Sequence, residues 1–347
     1  MRHWATRCTL FALIAVLALS CLLTACGGGG KEEPETYEVR ISSQMPIGHH
    51  ITDAIDLFCE RAEELSNGKL VFHHFPAGQL LSDTEVPEAI STGTIEMAQT
   101  FLPWWEGMVP HLNLSGAAFL DDLDHYYRLH DPEGPYEQYR QELLEETGNA
   151  KMVAPLLYCS ESGYILTSPV HEPQDAAGMS IRTPSQALSA EIGIMGAAAV
   201  VMSSADVYLS LQRGTLDGAY SGLTSFYSRK YYEVAKYVTV WNLVPTDFHI
   251  VANLDWWNAL PEDLQQAMIN AGQEATEYAK GACLESEAAC ITALEAEGVE
   301  VYFVPQQERE DVWRPLMHDA IRDVAVAEHG EDLVSMYEGW VEDARQE

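Results

Sequence analysis

The sequence predicts an α/β chain folded as two lobes, and three observations carry that prediction. Strand and helix signals alternate along the first part of the chain. The same alternation begins again after Met152, and an uninterrupted helical stretch runs from Pro261 to Gly298. Tyr37 to Ile41 alternates polar and apolar residues as a strand does, and Ile51, Ala54, Ile55, Phe58, Ala62 and Leu65 then recur at helical spacing until Asn67-Gly68. Lys69 to Phe75 reads as a second strand, closed by Pro76-Ala77-Gly78. Ser82, with Glu85 three residues later, forms a capping box for a helix ending near Gly93, and Thr94 to Phe101 is the next strand. Such a run predicts a mainly parallel sheet with helices on its faces.

The second half repeats the scheme. Strands are expected up to Tyr158 and over Gly163 to Thr167, followed by a helix through Ser185 to Gly196. Ser204 is expected to cap a helix ending at Gly214, before a short strand from Leu216 to Tyr220. The helix that starts behind Pro261 is long enough to span both lobes. Val299 to Val304 is a late strand and the remainder to Glu347 is helical. The expected division is a first lobe of about 37–160 plus 248–275, and a second of about 161–247 plus 285–345. No repeat of fixed period is visible.

Composition narrows the function classes. Of 347 residues, 47% are hydrophobic and 21% charged, enough apolar content for a sizeable core. Asp and Glu number 53 against 19 Lys and Arg, a formal net charge of −34. That field repels phosphate backbones and anionic lipid headgroups, which argues against nucleic-acid binding and against a polybasic membrane contact. A lysine-poor acidic surface suits a salt-rich envelope; an ordinary acidic exported protein fits as well.

The N-terminus carries an address. Arg2 and Arg7 precede an apolar run from Leu10 to Leu23, then Leu23-Thr24-Ala25-Cys26 and Gly27 to Gly30. The layout is that of a secretory signal, too short for a comfortable membrane span. It resembles a bacterial lipoprotein signal, which implies cleavage after Ala25 and a lipid on Cys26. Residues 26–36, with their glycines and Lys31-Glu32-Glu33-Pro34-Glu35, read as a flexible tether. Removing 1–25 takes away two arginines and no acid, so −34 becomes −36. Of the remaining cysteines, Cys283 and Cys290 lie two helical turns apart, about 10 Å, and cannot bridge each other. Buried free thiols are expected at Cys59, Cys159, Cys283 and Cys290.

No motif for catalysis emerges. The chain lacks a Walker loop, GxGxxG, GxSxG and HExxH. His49-His50 and His73-His74 are adjacent pairs, which strand geometry points to opposite faces, so no metal site and no cofactor is expected. Trp104, Trp105, Tyr220, Phe226 and Phe248 lie near predicted strand ends, where ligands of open α/β sheets sit, and as a set they suggest an aromatic-lined cleft.

Three spaced segments carry a resemblance. The first is Phe75-Pro76-Ala77-Gly78-Gln79-Leu80 with Glu85 and the run Glu88 to Glu96; the second is Glu172 to Pro184, containing Arg182. The third is Asp206 to Gly218, continued by Tyr227-Ser228-Arg229-Lys230-Tyr231-Tyr232-Glu233-Val234-Ala235-Lys236-Tyr237. Together they resemble the solute receptors of TRAP (tripartite ATP-independent periplasmic) transporters over about residues 37 to 330. The resemblance implies a periplasmic-binding-protein-like fold of two lobes braced by a long helix. Such a receptor closes on a small organic acid and hands it to membrane permease subunits, and it is not an enzyme. It also implies that Arg182 pairs bidentately with a ligand carboxylate, a task suited to a planar guanidinium. Ser204, Tyr220, Ser221, Trp104, Trp105, Tyr164 and Phe248 are the further expected ligand contacts.

Two departures shape the expected ligand. Where members often carry Glu-Asn, this chain has Tyr220-Ser221, and Ser160 to Tyr164 holds no second arginine. With Arg182 the only basic residue that the motifs place in the cleft, and Glu161 beside it, a monocarboxylate is expected over a C4-dicarboxylate. Two other classes stay open on the residues alone: the binding lipoprotein of an ATP-driven transporter, and an exported, lipid-anchored hydrolase.

Overall fold

The computed structural model describes residues 36–114, 119–186, 188–241 and 245–346. The expected signal, Cys26 and all of the tether but Thr36 lie outside the described residues. From Tyr37 onward the chain forms one unit. It begins with β1 (Tyr37–Ser42), α1 (His50–Leu65), β2 (Leu70–Phe75), α2 (Val86–Ser91) and β3 (Met97–Thr100). Asn67 and Gly68 take positive φ and end the turn after α1, as the Asn-Gly pair predicts. The capping box is present: Glu85 accepts from the Ser82 backbone N–H at 2.8 Å. Next come α3 (Leu123–Leu129), α4 (Pro135–Gly148) and β4 (Ala150–Cys159), two helices that the strand–helix reading does not contain.

The chain then crosses through Ser160-Glu161 into β5 (Ser162–Leu166), β6 (Ser180–Thr183), α5 (Ser189–Ile194), β7 (Ala198–Val201), α6 (Val207–Gln212), β8 (Gly218–Gly222), α7 (Leu223–Ser228) and β9 (Tyr237–Val240). It returns as β10 (Thr246–Asn253), followed by α8 (Leu254–Ala259), α9 (Glu262–Ala296), β11 (Glu300–Phe303), α10 (Arg314–His329) and α11 (Glu331–Gln346). One sheet has the order β2-β1-β3-β10-β4 and the other β11-β9-β5-β8-β6-β7.

Each sheet is mainly parallel, as expected, with a single reversed strand that the expectation did not contain. In the first sheet β10 runs against β3 and β4; in the second β5 runs against β8 and β9. The reason is where the chain crosses. β4 leaves the first sheet at the boundary where β10 enters it, Cys159 opposite Thr246, so the two must run oppositely. β5 enters and β9 leaves the second sheet at the same boundary. Alternating elements reveal strands but not the edge at which each is threaded.

Helix α9 braces both lobes. Leu264, Met268, Ala271, Ala275 and Ala279 pack into the core beneath the first sheet, while Cys290 and Leu294 pack into that of the second. A Cβ at Gly272 would stand 2.9 Å from the Ala154 Cβ, so glycine lets the helix lie directly on β4. Midway, buried Glu287 accepts from the Ser160 N–H at 3.0 Å and from its hydroxyl, pinning the first crossing. Met317 of α10 joins the core of Ile181, Trp241 and Trp313, but Val334, Tyr337 and Val341 of α11 join Leu129 and Tyr136 from α3 and α4.

The four cysteines of the described chain are free and buried. Among the described residues no helix is long and apolar enough to cross a membrane.

Candidate ligand-binding cleft

A cavity of about 150 Å³ opens between the sheets, lined from both. Arg182 is one of its lining residues. Strand alternation in β6 sends Ile181 into the core and Arg182 to the opposite face, where it is only 3% exposed. Its Nε donates to the Met202 carbonyl at 3.0 Å and its Nη1 to the Tyr220 carbonyl at 3.2 Å. No carboxylate bonds it among the described residues, and burial lowers its pKa. The rest of the fork makes no hydrogen bond among the described residues.

The aromatic wall comes from the first lobe. Phe248 on β10 lies 4.5 Å, centroid to centroid, from Tyr158 and 6.0 Å from Trp104. Tyr158, whose phenol burial pushes up to about 12, reaches across the cleft: its hydroxyl meets Ser221 Oγ at 2.9 Å and Ser225 Oγ at 2.5 Å, and accepts from the Gly222 N–H at 3.2 Å. A Cβ at Gly222 would stand 2.9 Å from that ring, so only glycine admits the approach. Other hydrogen bonds also cross. His49 Nε2 meets Thr224 Oγ1 at 3.0 Å, Asp83 accepts from the Ser204 N–H at 2.9 Å, and Arg229 donates to the Gln44 carbonyl at 2.8 Å.

The structure brings together Arg182, Tyr220, Ser221, Ser204, Trp104 and Phe248 around this cavity. It does not bring Trp105, Tyr164 or Phe226 to the lining. Trp104 and Trp105 sit on one tight turn, Leu102–Trp105, and diverge; Trp105 is fully buried and donates its indole N–H to Thr100 Oγ1 at 2.9 Å. Phe226 is core of the second lobe. Tyr164 stands one layer back, donating its hydroxyl to Glu191, which does line the cavity. Ser204 caps no helix, because its N–H goes to Asp83 and its carbonyl to the Tyr231 hydroxyl, and α6 starts only at Val207. His49 and His50 are not strand neighbours: they open α1 and stack at 4.4 Å.

Two expectations about charge need correction. Arg182 is not the only basic residue of the cleft, since Arg229 and Arg140 line it too. Arg229 stands within the Tyr227 to Tyr231 segment, so the signal was present, but sequence does not say which side of a turn faces the ligand. Glu161 lies outside the lining, at the β4–β5 crossing with its N–H directed at Glu287. The acids in the cavity wall are instead Asp83, Glu191 and Asp247.

Residues 41–325 match the family described as bacterial extracellular solute-binding protein, family 7. The chain belongs to that family. It is therefore a receptor of the TRAP type and a binding protein, not an enzyme. The open alternatives, an ATP-driven transporter's lipoprotein and a hydrolase, give way to this membership. Among curated relatives, the C4-dicarboxylate-binding periplasmic protein DctP of Rhodobacter capsulatus is 26% identical over 283 residues, covering 78% of this chain and 82% of its own. Among solved structures, a TRAP periplasmic solute-binding protein from Desulfovibrio salexigens with bound orotic acid superposes with a TM-score of 0.79 at 21% identity, covering 89% of this chain and 100% of that one. One from Roseobacter denitrificans with bound β-D-glucuronate gives 0.79 at 23% identity, covering 87% and 99%. The two-lobed fold is shared with both.

Proposed function

We propose that this receptor takes up a small organic acid whose carboxylate is held by Arg182, and that it prefers one carboxylate to the two of a C4-dicarboxylate. The observation that carries the reading is a buried guanidinium bonded to two carbonyls and to no acid. An unpaired buried charge costs several kcal/mol, and an anionic ligand would remove that cost. Relatives that bind C4-dicarboxylates, orotic acid and β-D-glucuronate support the class, since each of these ligands carries a carboxylate. The preference for one carboxylate is supported by the lining, in which the acids Asp83, Glu191 and Asp247 match the arginines Arg140, Arg182 and Arg229 in number and leave no excess of arginine for a dianion. Trp104, Phe248 and Tyr220 favour a flat or partly apolar body.

Binding across both lobes stabilises the closed arrangement, and the closed receptor then docks on its permease subunits. A thermal-shift screen against organic acids tests the reading. A monocarboxylate should raise the melting temperature by several degrees without being consumed. Stabilisation by succinate or malate alone would overturn the preference.

The acylated Cys26 is proposed as the membrane anchor, on the Leu23-Thr24-Ala25-Cys26 pattern and the glycines behind it. Cys26→Ser should move the protein from the membrane to the soluble envelope fraction and lower its mass by the lipid. Unchanged fractionation and mass would remove the anchor.

A further inference from the structure

We propose that Glu191 is a second recognition pole of the cleft, accepting a hydrogen bond from a hydroxyl or ammonium group that the ligand carries in addition to its carboxylate. The proposal rests on the reading of Arg182 as the carboxylate subsite. Glu191 lies on α5 and lines the cavity. Tyr164 Oη and Trp241 Nε1, the latter at 2.6 Å, both donate to the same oxygen, Oε1. Two donors on one oxygen fix the plane of the carboxyl group and leave Oε2 unengaged among the described residues. No arginine or lysine pairs with Glu191 there either.

That arrangement differs from a carboxylate kept for stability. Glu137, which is buried, is bonded by Arg140 and His130, with both of its oxygens engaged. Burial raises the Glu191 pKa, and its two donors offset this only in part. A carboxylate can accept at about four lone-pair sites, and the donors among the described residues fill two of them, both on Oε1, which leaves Oε2 to accept from a further donor. A ligand carboxylate at this point would meet like charge or an acceptor; a hydroxyl or ammonium would meet its complement. The ligand class is thus a hydroxy acid or an amino acid rather than a bare carboxylate.

Calorimetry with defined probes decides it. D-galactonate and D-glucuronate supply hydroxyl donors, L-glutamine an ammonium, and hexanoate and benzoate neither. Against the wild-type receptor, at least one donor-bearing probe should bind about tenfold to a hundredfold tighter than both donor-free acids. Glu191→Leu should erase that advantage while leaving hexanoate and benzoate unchanged or improved. Glu191→Gln keeps the shape, but Tyr164 and Trp241 hold its amide oxygen and its NH2 takes the place of Oε2, so a hydroxyl ligand, which can also accept, should retain part of its advantage and an ammonium ligand none, which tells the two apart. Equal binding of donor-bearing and donor-free acids by the wild type overturns the proposal, as does an intact advantage in both variants. Arg182→Lys separates the two readings. Wild-type binding of every probe there refutes the carboxylate subsite, whereas general weakening with the donor advantage preserved upholds it. Failure of all five probes to bind the wild type refutes both.

Discussion

Arg182 and Arg140 line the same cavity and are buried to nearly the same degree, 3% and 6% exposed. Their surroundings are opposite. Arg140 is forked onto Glu137, whose own carboxyl, although burial raises it, is held down to about 2 by Arg140 and His130. Among the described residues Arg182 is hydrogen-bonded to two backbone carbonyls and to no acid, with Asp83 acting on it through charge alone. The Glu137 charge outweighs burial and raises the Arg140 pKa, while burial lowers that of Arg182. Burial alone therefore does not tell the two arginines apart; the hydrogen-bonded acid does, and it is the absence of one at Arg182 that supports the proposed carboxylate subsite.

The largest expected effect is on stability at the paired end. Glu137→Gln leaves Arg140 buried without its acid and should cost about 3–5 kcal/mol in urea unfolding. Arg182→Met removes a charge that has no acid, so it should cost far less or stabilise, while abolishing carboxylate binding. Equal losses in the two variants would erase the contrast.

A pH experiment sharpens it. Burial, with Arg140 adding to it, lowers His249 to about 3, so the ring is neutral when folded; unfolded, it takes a proton near 6.5. Its stabilisation is complete above about 6.5 and is lost as pH falls from there towards 3, at about 1.4 kcal/mol per unit. Glu137 acts in the same direction lower down, losing its contribution as pH falls from 4.5 towards 2. His249→Phe should flatten the decline between pH 6 and 4, and a parallel slope would exclude His249 as its source.

The smallest effect concerns closure. Tyr158→Phe removes the hydroxyl that bonds Ser221, Ser225 and Gly222 across the cleft, and should weaken ligand binding by about 1–2 kcal/mol with the melting temperature of the free protein little changed. Solution scattering should show a more open free state. Unaltered affinity and shape would mean that the hydroxyl does not contribute to closure.

Much of the fold was legible because periodicity and punctuation act locally. The strands at Tyr37 and Lys69, the helix stopped at Asn67-Gly68, the Ser82–Glu85 box and the long bracing helix all follow from neighbours in sequence. The reversed strands β5 and β10 were not, since strand direction depends on where the chain crosses between sheets. The site was legible in part. Arg182 sat in a segment whose order and spacing carried information, and Tyr220, Ser221, Trp104 and Phe248 stood at strand ends. Trp105 and Tyr164 failed for a single reason: on a tight turn, or one layer behind the wall, adjacency to the cavity is decided by the direction of a side chain. Glu191, nine positions after Arg182 on a short helix, carried no signal until Tyr164 and Trp241 were seen to converge on it.

The central claim is that Arg182 completes its pairing with a ligand carboxylate. Calorimetric titration of the wild type and of Arg182→Lys, with the best stabilising acid of the thermal-shift screen, tests it most directly. An ammonium keeps the charge but cannot form two parallel hydrogen bonds, so affinity should fall by about tenfold to a hundredfold with the fold intact. Wild-type affinity in Arg182→Lys would contradict the account.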